Sequence, residues 1–322
     1  MKELIAKYLR YLEVEKRYST HTIDSYRRDL HQLLEFVAEY ADCSEEEIQI
    51  EQIDRLVIRL WLGRLAENDA AKSSMARKTA SIRSFFKYLY RRGHINKNPA
   101  HLLIVPKKEK RLPTTVHPEE IRRMMELADG TTPRELQDRA ILELLYGSGI
   151  RLRELTGLNV DDLDLKAGQV RILGKGSRQR IVPLGSRAAE ALQHHLKHRG
   201  ELFGKRSDSD AHKALFLAAS GHRIYPRAVQ KLVRRYLEKT SEITQKSPHV
   251  LRHSFATHML DAGADIRIIK EFLGHTNLSA TQVYTHTSVE RLKKVYDQAH
   301  PRSEQTHHKE STNNEPVKGE EK

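Results

Sequence analysis

The sequence predicts a mainly α protein in two parts, with a small antiparallel sheet in the second part. Three observations support this prediction. In the first hundred residues, apolar side chains recur at the 3.6-residue period of helices that bury one face. A stretch rich in proline and lysine, residues 106–116, then breaks the periodicity and predicts a linker. Beyond it, the helical patterns are interrupted by two short β-branched runs around a glycine-containing turn.

Four helices are predicted in the first domain, residues 1–105. The first is ELIAKYLRYLEVE, whose apolar residues form one stripe. Ser19 or Thr20 is a suitable N-cap for the second. The fourth ends at Gly93. The second to fourth helices read YSTHTIDSYRRDLHQLLEFVAEY, IDRLVIRLWLGRLAE and SSMARKTASIRSFFKYLYRRG.

Positive charge is concentrated in one region of the chain. Lys and Arg number 56 against 43 Asp and Glu, which gives a net charge of +13, and residues 70–111 hold twelve of these bases with one acid. Such a block is either a solvated helix face followed by a basic tether, or a surface for a polyanion. On the fourth helix, the basic residues have no acidic residue four positions away to neutralise them, which favours contact with phosphate. The predicted DNA-binding residues of this block are Arg77, Lys78, Arg83, Lys87, Arg91, Lys107 and Lys108.

The second domain, residues 117–302, is predicted to be mostly helical. Pro118 marks the start of its first helix, and Gly149 ends the next. The segment QVRILGKGSRQRIVPLG predicts a strand, a turn and a return strand. Residues 303–322 are polar and are expected to be disordered. Further helices are predicted in IRLRELTGL, SRAAEALQHHLKHRG, YPRAVQKLVRRYLEKT and SPHVLRHSFATHMLDAG.

Cysteine usage and hydropathy predict a cytoplasmic protein. Cys43 is the single cysteine, so no disulfide can form within the chain, which suits a reducing compartment. The N-terminus has no signal-peptide pattern, and no apolar run is long enough for a membrane span.

Several polar residues of the second domain are candidates for phosphate chemistry. His249 and Arg252 are three residues apart at the start of a helix, where free N–H groups attract anions. Arg151 and Glu154 open another helix, although a surface ion pair would have the same spacing. Zinc binding through the neighbouring histidines is disfavoured, because no glutamate follows the first histidine and no carboxylate or cysteine pair completes a site.

Lys175 and Tyr284 complete this set. Lys175 lies between two glycines at the tip of the predicted hairpin, but the segment lacks the spacing and the following helix of a P-loop. Tyr284 follows His275 by nine residues in the segment EFLGHTNLSATQVYTHT. Arginines can neutralise a phosphorane, histidines can move protons, a lysine can protonate a leaving oxygen, and a tyrosine can attack. Together they can cleave a phosphodiester without a metal.

The segments YGSGIRLRELTGL, GKGSRQRIVPLG, SPHVLRHSFATHMLDAGAD and FLGHTNLSATQVYTHTSVERLKKVYDQAHPR resemble the tyrosine site-specific recombinases, the phage integrase family, in order and spacing. The similarity covers nearly the whole chain and is greatest to the bacterial Xer branch, more to its XerC-like members than to its XerD-like ones. By this resemblance the catalytic residues are Arg151, Lys175, His249, Arg252, His275 and Tyr284, with Glu154 supporting the first arginine. Arg153 departs from the branch, which more often has serine there. We also expect DNA contacts from Arg178 and Arg180 on the hairpin.

The resemblance also implies an architecture and a reaction. It implies a SAM-like helical core-binding domain and a catalytic domain that clamp double-stranded DNA at a dif-like site. Tyr284 would form a 3′-phosphotyrosyl link, and exchange would pass through a Holliday junction, with no metal, ATP or other cofactor. The implied assembly is a tetramer of two XerC-like and two XerD-like protomers, with activation by a DNA translocase. In it the C-terminal helix would dock on a neighbouring protomer through Val289, Leu292, Val295 and Tyr296. Packing of these residues on their own domain is the alternative.

Other functions remain open from the residues. A phage or transposon integrase would use the same chemistry, although such proteins often carry an extra N-terminal arm-binding domain. A type IB topoisomerase would use it to relax any supercoiled plasmid. A DNA-binding protein without catalysis would not need a tyrosine beside this set of arginines, histidines and lysine.

Overall fold

The structure is a computed structural model that describes residues 1–104, 114–174, 179–274, 295, 296 and 298–300. The chain divides into two compact units, Met1–Arg111 and Leu112–Lys322. Within the described residues, the first unit consists of helices joined by loops, the longest of which, residues 42–54, contains a short 3-10 helix, Ile50–Gln52. The second unit adds a small sheet to its helices. The helices of the first unit are α1 (Lys2–Val14), α2 (Thr20–Ala41), α3 (Arg55–Glu67) and α4 (Lys72–Arg91).

The four helices of the first unit pack their apolar stripes into one core. Ser19 caps α2 by accepting a hydrogen bond from the backbone N–H of Thr22 at 3.4 Å, as its position predicts. After α4, Gly93 adopts a left-handed backbone with φ of 70°, which ends the helical path. The core includes Tyr8, Trp61 and Phe85.

A buried carboxylate ties α2 to α4. Asp29 of α2 is fully buried and forms ion pairs with Arg77 and Lys78 of α4. The Lys78 ammonium lies 3.3 Å from Asp29, also donates to Gln32, and sits 5.5 Å from the centre of the Trp61 ring. Since Lys78 is only 8% exposed, the expectation that it contacts DNA is corrected: it joins helices inside the unit.

The second unit has eight described helices. Two of them, α9 and α12, were not among the sequence predictions, while the others begin and end close to the expected positions. Their bounds are α5 (Pro118–Leu127), α6 (Pro133–Ser148), α7 (Leu152–Gly157), α8 (Ser186–His198), α9 (Ser209–Lys213), α10 (Pro226–Thr240), α11 (Pro248–Asp261) and α12 (Ile266–Leu273).

The sheet of the second unit is antiparallel in the order β1 (Leu163–Asp164), β2 (Gln169–Leu173), β3 (Gln179–Pro183). The hairpin β2–β3 confirms the sequence prediction, and the two-residue β1 adds an edge strand that the sequence did not predict. In the register, Ile172 lies opposite Arg180, and Val170 lies opposite Val182. Because side chains alternate between faces, Arg180 shares the inward face with these apolar residues.

The chain returns to its own core near the C-terminus. Tyr296, Ala299 and His300 are buried in the second unit. The Tyr296 and His300 rings stack 4.4 Å apart, and a Cβ on Gly185 would fall 2.5 Å from the Tyr296 hydroxyl. Of the two expectations for this segment, the described residues therefore show packing on the chain's own unit. No described helix is long and apolar enough to cross a membrane.

Candidate active site

Arg151 and Glu154 are positioned by the turn between α6 and α7. Gly149 ends α6 in a left-handed conformation with φ of 59°, a role for which glycine is suited because it has no Cβ. Arg151 is then the N-cap of α7, and Glu154 occupies its third position. The Glu154 carboxylate accepts from the Arg151 backbone N–H at 2.7 Å and from its Nη1 at 2.9 Å. The pair is thus partly buried, not a surface i,i+3 pair.

Glu154 also receives a second arginine, Arg180 of β3. Nη1 and Nη2 of Arg180 donate to Oε1 and Oε2 of Glu154, both at 2.8 Å, in a bidentate pair. Burial alone would raise the pKa of Glu154. The hydrogen bonds and charge of Arg180, with those of Arg151, outweigh it and lower the pKa from 4.5 to about 2. The carboxylate is therefore ionised throughout the neutral range.

His249 and Arg252 lie in the first turns of α11. The helix begins at Pro248 with Ser247 in the N-cap position, where Ser247 makes no side-chain cap bond. His249 is exposed. Arg252 is partly buried and donates to the carbonyl of Gly149 and, at 2.7 Å, to that of Leu273. Burial, and next the charge of Arg151, lower the pKa of Arg252 to about 10, so its guanidinium stays charged at neutral pH.

Three arginines meet at the C-terminal end of α12. Arg180 Nε donates to the carbonyl of Phe272 at 3.3 Å, and Arg252 donates to that of Leu273. Arg151 Nη2 donates to the carbonyl of Gly274 at 3.0 Å. The last carbonyls of a helix have no partner inside it and carry partial negative charge. The arginines satisfy three consecutive ones and are held in place by them.

Gly274 ends α12 in a left-handed conformation with φ of 60°. A Cβ at this position would lie 3.1 Å from Cζ, Nε and Nη1 of Arg180. The Arg180 guanidinium therefore packs directly against the backbone of Gly274. The next residue in the chain is His275.

The described part of this cluster carries net positive charge. Three guanidinium groups and one carboxylate, from Arg151, Arg180, Arg252 and Glu154, sum to +2. A phosphodiester carries one negative charge, and a phosphorane formed by attack on it carries two. Prearranged cations of this number stabilise charge that develops on a phosphoryl group. The cluster can thus bind a phosphate and stabilise its transition state.

The structure brings together part of the predicted site. Arg151 and Arg252 converge on the neighbouring carbonyls of Gly274 and Leu273. Glu154 binds Arg151, and His249 lies one turn before Arg252. Arg180 lies in the same cluster but is 6% exposed and bound to Glu154, so its predicted role as a DNA contact is corrected. The predicted residues Lys107, Lys108, Lys175, Arg178, His275 and Tyr284 lie outside the described residues.

The basic residues of α4 take two different positions. Arg83, Lys87 and Arg91 are exposed, and none of them forms an ion pair within the described part of the chain. Arg77 is partly exposed, but its guanidinium binds Asp29 and, at 3.2 Å, the carbonyl of Ser25. The exposed set remains a candidate DNA surface.

Sequence reasoning missed the backbone acceptors of the site. The carbonyls of Gly149 and residues 272–274 have no sequence signature of their own. The signal for α12 was present, since the apolar residues of IRIIKEFL have helical spacing and Gly274 follows. Across the described ranges, no group of three or more His, Cys, Asp or Glu side chains is placed to hold a metal ion.

Comparison with known proteins decides the family. Residues 114–291 match the model of the phage integrase family, and residues 5–93 match the phage integrase N-terminal SAM-like domain. This chain belongs to the phage integrase family. Two relatives named tyrosine recombinase XerC are each 44% identical to it. The one from Pelotomaculum thermopropionicum is covered over 98% of its length and 93% of this chain, and the one from Pelobacter propionicus over 96% and 94%.

The enzyme class follows from this membership: the protein is a tyrosine recombinase. Its fold is that of the phage integrase family as well. The XerH site-specific recombinase bound to palindromic difH substrate, in its post-cleavage complex, aligns with a TM-score of 0.63. That alignment covers 84% of this chain and 78% of XerH at 21% identity, a similarity that bears on the fold alone.

Proposed function

We propose that this tyrosine recombinase performs site-specific recombination of double-stranded DNA at a dif-like site. The Tyr284 hydroxyl loses its proton to a site histidine and attacks the scissile phosphorus. The P–O5′ bond breaks as Lys175 gives a proton to the leaving oxygen, which leaves a 3′-phosphotyrosyl link and a free 5′ hydroxyl. The bond energy is retained in the link, so the reverse attack by a 5′ hydroxyl of another strand rejoins DNA without ATP.

The roles of the individual residues are part of this proposal. Arg151 and Arg252 would hold the nonbridging oxygens of the scissile phosphate, Glu154 would support Arg151, and His249 and His275 would orient the phosphate and carry protons. The observation that carries the proposal is the convergence of Arg151 and Arg252, from different helices, on the carbonyls of Gly274 and Leu273. These carbonyls directly precede His275, so two predicted phosphate ligands meet where the chain enters the segment with the predicted nucleophile.

We infer that the first unit supplies most of the sequence-independent affinity for DNA. Arg83, Lys87 and Arg91 are exposed on α4 and carry no ion pairs among the described residues. Such side chains can neutralise backbone phosphates and release counterions, which makes binding dependent on salt. We retain residues 1–105 as the core-binding domain, 106–116 as the linker, 117–302 as the catalytic domain and 303–322 as a tail.

The cellular role we propose is resolution of chromosome dimers during chromosome partition and cell division, in the cytoplasm. The relatives named tyrosine recombinase XerC support it, because they match over nearly the whole chain. The working assembly would be a tetramer on two sites, with two copies of this chain and two XerD-like protomers. Activation by a DNA translocase is an expectation from the Xer branch.

The deciding experiment is a covalent-trapping assay. The full chain is incubated with nicked suicide duplexes that carry candidate dif-like sites, with and without a XerD-like partner, and resolved on a denaturing gel. We expect a protein–DNA adduct with the wild type and none with Tyr284→Phe, which keeps the ring. A gel shift with both proteins would show that the variant still binds DNA.

Two outcomes would contradict the proposal. If no adduct forms with any site or partner while the DNA still shifts, the protein binds without chemistry. If it relaxes plasmids with and without the site equally, it acts as a type IB topoisomerase and not as a site-specific recombinase.

A further inference from the structure

Arg180 has a place in the site that neither phosphate binding nor simple packing describes. We propose that Arg180 is a positioning residue for recombination, which fixes Glu154 and the end of α12 to one another and thereby sets the orientation of Arg151. The inference rests on the proposed function, because its effect is read out in cleavage of DNA.

Arg180 is engaged inside the protein through all three nitrogens of its guanidinium. A guanidinium has five N–H donors, and all three nitrogens of Arg180 already donate. Two face the oxygens of Glu154 at 2.8 Å, and Nε faces the carbonyl of Phe272 at 3.3 Å. Its side chain is 7% exposed. The edge of the group that matches a phosphate is therefore occupied by a carboxylate.

Arg151 is held through the same carboxylate oxygens of Glu154. Glu154 Oε1 accepts from both Arg180 Nη1 and Arg151 Nη1, at 2.8 and 2.9 Å. Oε2 accepts from Arg180 Nη2 and from the Arg151 backbone N–H, at 2.8 and 2.7 Å. Without Arg180 the carboxylate could rotate toward solvent, and the Arg151 side chain, which is 40% exposed, would lose a fixed partner.

Arg180 joins three separate parts of the chain. It lies on β3, pairs with a residue of α7, and bonds to the last turn of α12. It also packs on Gly274, where a Cβ would be 3.1 Å away. Position matters here because a displacement of about 1 Å at a reacting group can cost about 100-fold in rate.

The test compares three variants in the full chain. Arg180→Met keeps an unbranched apolar stem and removes the guanidinium fork, and Arg180→Lys keeps the charge but offers only a point donor. The matched control is Arg171→Met on β2, whose exposed guanidinium pairs with Asp162 on the other face of the sheet. Each protein is measured for adduct formation on the suicide duplex and for DNA affinity by gel shift.

For Arg180→Met we expect cleavage of bound DNA to fall by about 10- to 100-fold, since the phosphate site is misplaced and not absent. The dissociation constant for DNA should change by less than about threefold, because phosphate contacts elsewhere supply most of the affinity. Arg180→Lys should fall between this variant and the wild type, and Arg171→Met should cleave like the wild type.

A pH profile separates this role from a merely structural one. Glu154 is faced by Arg151 from α7, Arg180 from β3 and, at longer range, Arg252 from α11. Removing Arg180 takes away the strongest of the influences that lower the pKa of Glu154, so that the pKa rises from its wild-type value. The rate of cleavage by Arg180→Met should therefore decline as the pH is lowered below neutral, because Glu154 becomes protonated. The wild type should show no decline caused by Glu154 in this pH range. In the double variant Arg180→Met with Glu154→Gln, this decline in rate at low pH should disappear, because no carboxylate is left to protonate.

Each result decides between the alternatives. If the wild type forms an adduct and Arg180→Met cleaves equally fast, Arg180 is not a positioning residue. If DNA affinity and cleavage fall together with an unchanged pH profile, Arg180 is a DNA contact or a packing residue only. If Arg180→Met does not fold, Arg180→Lys takes its place, and wild-type cleavage by it overturns the inference. If the wild type itself forms no adduct, the failure lies with the proposed function.

Discussion

Both units of the molecule hold a buried carboxylate between two basic side chains, but the arrangements differ in what they fix. In the first unit, Asp29 binds Arg77 and Lys78, which are adjacent on α4, so the contact joins one helix to another. In the second unit, Glu154 binds Arg151 and Arg180 from different elements. These arginines extend beyond the carboxylate to the carbonyls of Gly274 and Phe272 at the end of α12.

The difference shows that the same residue types can serve packing or chemistry, depending on what surrounds them. Around Asp29, the Lys78 ammonium lies near the Trp61 ring and is closed off from solvent. Arg77 and Arg151 are exposed to a similar degree, 41% and 40%. Unlike Arg77, however, Arg151 meets a further arginine, Arg252, at the carbonyls that end α12. Several prearranged cations, one of them reachable by a phosphate, are the arrangement that electrostatic catalysis needs.

The largest effect should come from removing an arginine of the cluster around Glu154 in the second unit. Arg252→Ala should lower the rate of adduct formation by about 100- to 1,000-fold, as for loss of one donor to a transition-state charge. The assay is cleavage of the suicide duplex at saturating protein. Arg234→Ala, which removes an exposed arginine paired with Glu238 on α10, is the matched control and should cleave normally. Equal loss in both variants would refute a specific role for Arg252.

The two carboxylates can be compared directly by substitution. Glu154→Ala and Asp29→Ala should each lower the free energy of unfolding by roughly 3–5 kcal/mol, because each leaves buried cations without a partner. Urea denaturation of the full chain measures this. Only Glu154→Ala should also slow the cleavage of bound DNA. If DNA-bound Asp29→Ala also cleaved much more slowly than the wild type, the Asp29 and Glu154 clusters would not differ in their effect on catalysis.

The pH dependence of stability sharpens the comparison further. The folded state lowers the pKa of Glu154 from 4.5 to about 2, so ionised Glu154 contributes roughly 3 kcal/mol above pH 4.5. That contribution is lost as the pH falls from about 4.5 toward about 2. The difference in unfolding free energy between wild type and Glu154→Gln should be constant from pH 7 to about 5 and shrink below that. A difference that grows on acidification would contradict the assignment.

The smallest effect, on DNA affinity, is expected from the exposed basic side chains of α4 in the first unit. Arg83→Gln should weaken DNA binding a few-fold and reduce the slope of log affinity against log salt by about 0.9, the value for one phosphate contact. Fluorescence anisotropy over a salt series measures both. Arg10→Gln on α1 removes another exposed arginine outside the basic block and should leave the slope unchanged. Identical slopes for all three proteins would remove Arg83 from the DNA surface.

The sequence was informative where a pattern of side chains determines the structure. Helical stripes and the glycine-centred hairpin predicted the main elements, and motif spacing predicted that Arg151 and Arg252 belong to one site. Lys78 was misassigned because its charge was weighed above its position. It precedes Ile82 by four residues and Phe85 by seven, so it lies on the buried stripe of α4.

Arg180 was misassigned for a related reason. In an alternating strand it shares a face with Val182, and the register then places it opposite Ile172. Pairing with Glu154 could not be read from the sequence, because it depends on the approach of α7 to β3 in space. The acceptors at the end of α12 were equally hidden, since backbone carbonyls are the same at every residue.

Gly274 also limits how this recombinase can be re-engineered. Any other residue there would adopt a left-handed backbone at a cost of about 1 kcal/mol or more. It would also press a Cβ within 3.1 Å of a buried guanidinium that has little room to move. A library meant to change the choice of DNA site should therefore keep glycine at 274 and place its diversity elsewhere. Selection from a library that randomises this codon should return glycine almost every time.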